Sequence, residues 1–450
     1  MKKVDVFQHV SWASRWTFIM AATSSAAGLG NIWKFPYIAG VYGGGAFVLM
    51  YLLCIAIVGV PIMIAEMLLG RSSKTDPIST MRKLAVDSDT SKAWMLVGIA
   101  GVITGVMIMM FYSVVAGWAL DYVWQCASGA ISHTDGATSQ TSFEALRGDF
   151  SRQMITHTLF SLLTAGIVAF GVTKGIGGAS RVLTPMLLAI VLLLVGYAAL
   201  KGEFSKGLEF LLYPDFSKLS AKAVLVAMGH SFFTLSLGMG AIMVYGSYMP
   251  DNVSISKTVI TVALLDTGVA LAAGAAIFPL VFAHEALQPG AGPGLMFVTL
   301  PTAFGDMPGG MLFGTLFFVL VGIAALTSSI SLIEPGVAWL ERMGVNRIVA
   351  TAGLTLTAWI GGVFCIRDGA VFDTLDYITT NIMLPLGGLA TAIFTGWFLK
   401  KKFARTQMSD LSLNLFNFWY ATIRVFTPLA VIAVFLYQIG VLEKIGLITP

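Results

Sequence analysis

Two short stretches of this 450-residue chain gather glycines and hydroxyls inside otherwise apolar runs. The first is SSAAGLGN, from Ser24 to Asn31, and the second is TLSLGMG, from Thr234 to Gly240. Helices interrupted there would free backbone N–H and C=O groups. Lipid cannot satisfy such groups, so they must face protein, an ion or a solute. Half-helix N-termini attract an anionic group, and freed carbonyls attract a cation. Together they suit a zwitterion, with its carboxylate at the amides after Gly28 and its ammonium at carbonyls of the second break. Thr327, Ser328 and Ser329 add three successive hydroxyls in another apolar run. They either bond back along their own helix or lend oxygens to a cation. Asp266 also lies within an apolar run, where an ionisable group is costly and points to function. The competing reading is a structural hydrogen bond to Thr267 or a neighbouring helix.

The elements that must carry these residues are membrane spans. The chain is 57% hydrophobic and 11% charged, with mean hydropathy +0.84; soluble domains carry about 25% charged residues. About eleven runs approach the roughly 20 residues a spanning helix needs. They lie near 12–37, 42–69, 93–126, 154–172, 181–200, 221–248, 255–284, 310–341, 346–365, 371–399 and 418–439. Lys2, Lys3, Arg71, Lys74, Arg82, Lys83, Lys174, Arg181, Arg342, Arg347, Lys400–Lys402 and Arg405 all fall on one side if the N-terminus is inside. The positive-inside rule therefore puts the N-terminus in the cytoplasm and Pro450 outside, in a multi-pass protein of the cell's inner (plasma) membrane. Lys201 and Lys206 fall on the other side. Segment 127–153 is then a polar outer loop and 285–309 a Gly/Pro-rich one. A lone GxG in a membrane helix usually serves close packing. Here two breaks open two groups of five spans, 12–200 and 221–399, with 418–439 as an additional span. Five is odd, so the second group enters from the opposite side. The expected fold is all-α, a single transporter domain over 1–450, with an inverted five-plus-five repeat and discontinuous first and sixth helices.

Other classes fit poorly. The net charge of +4 is small and its basic residues sit in short loops, so no nucleic acid partner is expected. No HExxH or GxSxG occurs and Asp266 has no second carboxylate near it in sequence, which argues against an enzyme. The start, MKK before an apolar stretch, mimics a signal peptide, but the run continues to Pro36 and more spans follow. Cys54, Cys126 and Cys365 have no metal-ligand spacing; whether Cys126 and Cys365 pair is open.

GLGNIWKFPY (Gly28–Tyr37), GGGAF (Gly43–Phe47), SFFTLSLGMGA (Ser231–Ala241) and LTSSI (Leu326–Ile330) together resemble the neurotransmitter:sodium symporter family, especially its bacterial amino acid transporters. The resemblance runs along nearly the whole chain. It implies sodium-coupled symport of a small amino acid, hydrophobic or aromatic, by alternating access in the lipid bilayer. It also implies two Na+ sites. The first would use Ala26, Asn31, Thr234 and Asp266 with the substrate carboxylate. The second would use carbonyls of Ser24, Ala27 and Ala324 with Thr327 and Ser328. Substrate would lie against Ser25, Ala26, Gly28, Leu29 and Gly30, with Tyr112 holding its carboxylate. Phe233 would be the lid, with Thr234 and Ser328 close by. Ile108, Ser236, Met239, Ser329 and Leu332 would line the side-chain pocket.

Monoamine members of the family carry an aspartate where this chain has Gly28, so an amino acid is expected and not a decarboxylated amine. Members that need chloride carry a neutral asparagine where Asp266 stands. Its fixed charge implies transport without chloride, with Tyr51 and His230 as neighbours. His230 is also a candidate proton carrier, or simply a core histidine. Lys34 stands where the family's outer gate has arginine, and its expected partner is Asp376. Lysine makes a point contact where arginine makes a fork. At the inner gate Trp12 and Tyr248 match, but His9 and Arg342, with Glu341 adjacent, replace the usual arginine and acid. Within the same fold, two alternatives stand: a transporter of another small zwitterion or amine, and a sensor that binds without transport. Nothing in the pattern sets an oligomeric state.

Overall fold

The computed structural model describes residues 15–132, 134–284, 287, 294–438 and 440–441. In lipid every backbone group must be satisfied within the chain, and helices do this locally. Among the described residues there is no strand, only an isolated bridge between Gly44 and Pro214. Among the described residues eight helices are long and apolar enough to cross a membrane: Gly45–Ser73, Lys92–Ala127, Val172–Lys201, Ile255–Phe282, Gly310–Arg342, Arg347–Arg367, Gly369–Phe398 and Leu413–Tyr437. They are the second, third, fifth, seventh, eighth, ninth, tenth and eleventh of the expected spans. The fourth is Phe150–Ala169. The first and sixth are broken, as the glycine clusters required.

The first span stops at Ala26 and resumes as a π-turn, Gly30–Lys34, that runs into Phe35–Val41. The sixth consists of Ala221–Thr234 and Ala241–Ser247. Between its halves Ser236, Gly238 and Gly240 have φ of 55°, 81° and 78°. Left-handed residues cannot continue a right-handed helix, so the sequence itself breaks the span. At Gly238 the requirement is double. A Cβ there would sit 3.0 Å from the Leu384 carbonyl carbon and 3.1 Å from the Gly388 amide nitrogen, so any side chain would push the tenth span away. The freed Gly238 N–H donates to Glu66 Oε1 of the second span at 2.7 Å.

The third and eighth spans pack along their length, and the second half of the sixth lies on the second. Phe232, Phe297, Phe318, Tyr122 and Tyr245 fill the interior. Leu162, Leu192, Leu264 and Ile348 are exposed around the outside, the surface a bilayer would cover. Both expected outer loops contain helices. Within 127–153, Gly136–Gly148 is capped by Asp135, which accepts from the Thr138 amide. Within 285–309, a π-turn Leu295–Thr299 leads into Leu300–Asp306, with Pro301 in the first turn. Proline there starts a helix instead of ending one. Phe297 anchors it: its ring stacks 5.1 Å from Phe143 and its carbonyl accepts from Tyr122 Oη at 2.7 Å. All three cysteines are free and buried.

Candidate functional site

The two breaks meet. Ser236 Oγ donates to the Ser25 carbonyl at 2.9 Å, and Ser328 Oγ donates to the same oxygen at 3.3 Å. Between them lies a cavity of about 20 Å³. The first break contributes Ser25, Ala26, Gly28, Leu29 and Gly30; the third span Ile108 and Tyr112; the sixth Phe233, Thr234, Ser236 and Met239; the eighth Ser328 and Leu332. These are the residues expected to meet substrate, with one exception. Ser329 does not line the cavity: its hydroxyl bonds Thr164 of the fourth span at 2.7 Å and the Leu326 carbonyl at 2.9 Å. Successive helical residues point about 100° apart, so three adjacent hydroxyls cannot share one face. Leu384 of the tenth span also lines the cavity. Sequence reasoning missed it because a leucine in an apolar run carries no mark.

Gly28 shapes one end. A Cβ there would lie 2.9 Å from Ser328 Cβ, closer still to its Oγ, and 3.4 Å from Tyr112 Oη. Only a bare backbone fits between the tyrosine and the serine. Tyr112 Oη accepts from the Leu29 N–H at 3.4 Å, and Asn31 Oδ1 accepts from the Gly28 N–H at 3.0 Å.

Next to this end, oxygens converge. Asn31 Nδ2 donates to the Asp266 carbonyl and to its Oδ1, both at 2.8 Å. Thr234 Oγ1 stands 3.3 Å from Asn31 Oδ1 and 3.1 and 3.2 Å from the two Asp266 carboxylate oxygens. All three residues are buried. The set contains amide, hydroxyl and carbonyl oxygens and a single carboxylate, the chemistry of a hard cation of low charge. Ala26 of the first break lines the same cavity as Thr234. These bonds run to the first and sixth spans, so the structural reading of Asp266 is met in its neighbouring-helix form. Tyr51 and His230 lie nearby with their rings tilted at 37° and their centroids 5.3 Å apart.

A second group lies where the first span meets the eighth. Thr327 Oγ1 back-bonds to the Ala324 carbonyl at 3.0 Å, which brings two of the expected oxygens together. Ser24 and Ala27 are buried at the end of the first half-helix, and Ser328 reaches across to its neighbour Ser25.

Phe233 lines this cavity and also a larger one of about 450 Å³ beyond it, so its ring divides the two; Leu29 and Tyr112 share that position. Lys34 Nζ lies 4.6 Å from the Phe233 ring centroid and 3.3 Å from Asp376 Oδ1. Thr380 Oγ1 donates to the same carboxylate oxygen at 2.9 Å. The lysine thus bridges the Phe233 ring and the tenth span.

At the far end Tyr248 Oη donates to Glu334 Oε1 at 2.7 Å. Arg347 pairs with Glu334 at 2.5 Å and with Glu341 at 2.6 Å, and its Nε donates to the Val168 carbonyl at 2.8 Å. Glu341 therefore serves Arg347, while Arg342 leans toward Thr75 and Asp76. Trp12 and His9 lie outside the described residues. Glu66 and Glu334 were not singled out from sequence, though a carboxylate inside an apolar run is a legible signal.

A model of the sodium:neurotransmitter symporter family matches residues 9–149 and 141–447. The uncharacterized sodium-dependent transporter YhdH of Bacillus subtilis is 36% identical over 450 residues, covering 96% of this chain and 98% of its own length. An uncharacterized sodium-dependent transporter of Haemophilus influenzae is 30% identical, covering 95% and 98%. The human sodium- and chloride-dependent GABA transporter 2 is 26% identical, covering 83% of this chain and 70% of its own length. Among solved structures, MhsT in complex with L-phenylalanine superimposes with a TM-score of 0.88 at 38% identity, covering 95% of this chain and 99% of that one. These relatives are transporters and not enzymes. With its multi-pass helical fold, its paired helix breaks and these likenesses, the chain belongs to the sodium:neurotransmitter symporter family and is one of its sodium-dependent transporters.

Proposed function

We propose that the protein carries hydrophobic or aromatic amino acids together with two sodium ions, and does so without chloride. The observation that carries this reading is the cavity at Gly28, where two helix breaks, Tyr112 and a set of buried oxygens surround one space. The bare Gly28 backbone leaves room for a carboxylate beside Tyr112. The bound L-phenylalanine of MhsT supports an amino acid of this kind. Ile108, Met239, Leu332 and Leu384 offer an apolar wall for its side chain, and flexible Met239 suits more than one shape.

One sodium ion would sit among Ala26, Asn31, Thr234 and Asp266, and the other among Ser24, Ala27, Ala324, Thr327 and Ser328. The carboxylate of the substrate would complete the first site. Each then strengthens binding of the other by the same factor, which is the origin of coupling. Asp266 supplies the negative charge that chloride provides in other members. Phe233 closes over the substrate from the side of Lys34 and Asp376. The Tyr248–Glu334–Arg347 cluster holds the opposite, cytoplasmic side, and the membrane is the cell's inner (plasma) membrane with the N-terminus inside.

The test is sodium-dependent binding of labelled L-phenylalanine to the purified chain, with competitors. Unlabelled hydrophobic amino acids are expected to displace the label, while tyramine and tryptamine are not. Displacement by the amines and not by their parent amino acids would overturn the reading.

A further inference from the structure

Arg424 lies within the eleventh span, Leu413–Tyr437, with its side chain exposed on the outer surface of the bundle. Among the described residues its guanidinium has a single partner, the Trp397 ring, whose centroid is 4.6 Å away. No carboxylate among the described residues pairs with it. Trp397 is 59% exposed, and its Nε1 donates to the Arg424 carbonyl at 2.9 Å. A cation on a lipid-facing surface, shielded only by one aromatic face, calls for an anion from outside the chain.

The depth of Arg424 says which anion. Gly396 of the tenth span packs directly on its backbone, since a Cβ on Gly396 would be 2.8 Å from Arg424 Cα. Arg424 is thus level with a residue one helical turn, about 6 Å, from Lys400. An arginine reaches that far toward the interface while its stem stays among apolar groups. Lys400 is itself paired with Asp89 at 2.8 Å. Lys401 is not: its Nζ lies 5.0 Å from the ring centroid of Tyr420, one turn before Arg424 on the same helix face. Arg405 is occupied by the carbonyls of Met408 and Leu411. Exposed Phe398, Leu415, Phe418 and Phe426 surround this edge. Two cations with no carboxylate partner among the described residues, Lys401 beyond the end of the tenth span and Arg424 about one turn inward and reaching toward it, match a phosphate whose acyl chains lie along the apolar wall beside Trp397.

We propose that Arg424 and Lys401 hold the phosphate of an anionic phospholipid, whose acyl chains lie along the eleventh span. The experiment is native mass spectrometry of the full purified chain offered phosphatidylglycerol or phosphatidylcholine with identical acyl chains. The wild type is expected to retain phosphatidylglycerol in preference by about fivefold or more, because phosphatidylcholine carries the same phosphate but its choline cation offsets about one charge of the attraction. Arg424→Gln is expected to lower that preference, with Lys401 retaining part of it, and Arg424→Lys to keep more of it. Parity in the wild type, or an unchanged preference in Arg424→Gln, would overturn the proposal. Should Arg424→Gln fail to purify, Lys401→Gln reads the same preference, and no loss there would overturn it. A dimer in wild type that Arg424→Gln abolishes, with lipid retention unchanged, would assign the surface to a second copy and also overturn it.

Discussion

Adding a single methyl group at Gly28 is expected to damage sodium use through Ser328. The new Cβ would lie 2.9 Å from Ser328 Cβ and closer to its Oγ. Carbon atoms rest about 3.5–4.0 Å apart, so Ser328 must yield by about 0.6–1.1 Å. It sits in the middle of the Gly310–Arg342 helix, packed on the third span, so its backbone has little freedom. The empty site can relieve the closer overlap, with Oγ, by turning the hydroxyl aside. In the proposed sodium site the hydroxyl is needed at the cation, so the loaded state keeps that overlap. Overpacking of this kind costs about 1–3 kcal/mol. If it falls on the loaded state, half-saturation for sodium rises about 5- to 150-fold. The assay is sodium-dependent uptake of a hydrophobic amino acid by Gly28→Ala in proteoliposomes. Ser328→Gly removes both clashing atoms, so adding Gly28→Ala to it should cost little more than Ser328→Gly alone. Wild-type sodium dependence in Gly28→Ala, or a fully additive double variant, would refute the reasoning.

Three further outcomes are expected. Lys34→Asp and Asp376→Lys should each lower uptake, while the charge-exchanged pair recovers it; with Asp376 partly exposed, the pair contributes about 1 kcal/mol, close to fivefold. No recovery in the double variant would separate the two residues. Glu66→Gln keeps an acceptor for the Gly238 amide and should retain most thermal stability, whereas Glu66→Ala orphans that buried N–H and should cost about 1–3 kcal/mol. Equal melting temperatures for the two would contradict the bond's role. Replacing chloride by gluconate should leave uptake intact, and a steep loss would show that Asp266 does not substitute for the anion.

The breaks were legible because glycine and hydroxyl clusters have few other uses in lipid, and their matched places in two groups of five set the architecture. The cavity lining was legible only where those clusters, or the resemblance, named it. Which of Thr327, Ser328 and Ser329 faces the cavity depends on the rotation of the eighth span against the third and fourth. Sequence does not fix that rotation, so Ser329 was misplaced toward the cavity while Thr164 holds it. Leu384 reaches the cavity because Gly238 lets the tenth span approach, a tertiary contact with no local trace. The segment after the seventh span read as a loop because its glycines and prolines cluster before residue 294. The apolar Leu295–Phe304 stretch that follows was too short to register as a span. Glu66 and Glu334 carried a readable signal, a carboxylate in an apolar run, but their partners come from distant segments.

The most direct test is uptake of a mixed amino acid pool into proteoliposomes under an inward sodium gradient, against a potassium control. The account predicts that one or a few hydrophobic or aromatic amino acids accumulate above the outside concentration, and that collapsing the sodium gradient releases them. Sodium-dependent binding with no accumulation would contradict it and leave a sensor in its place.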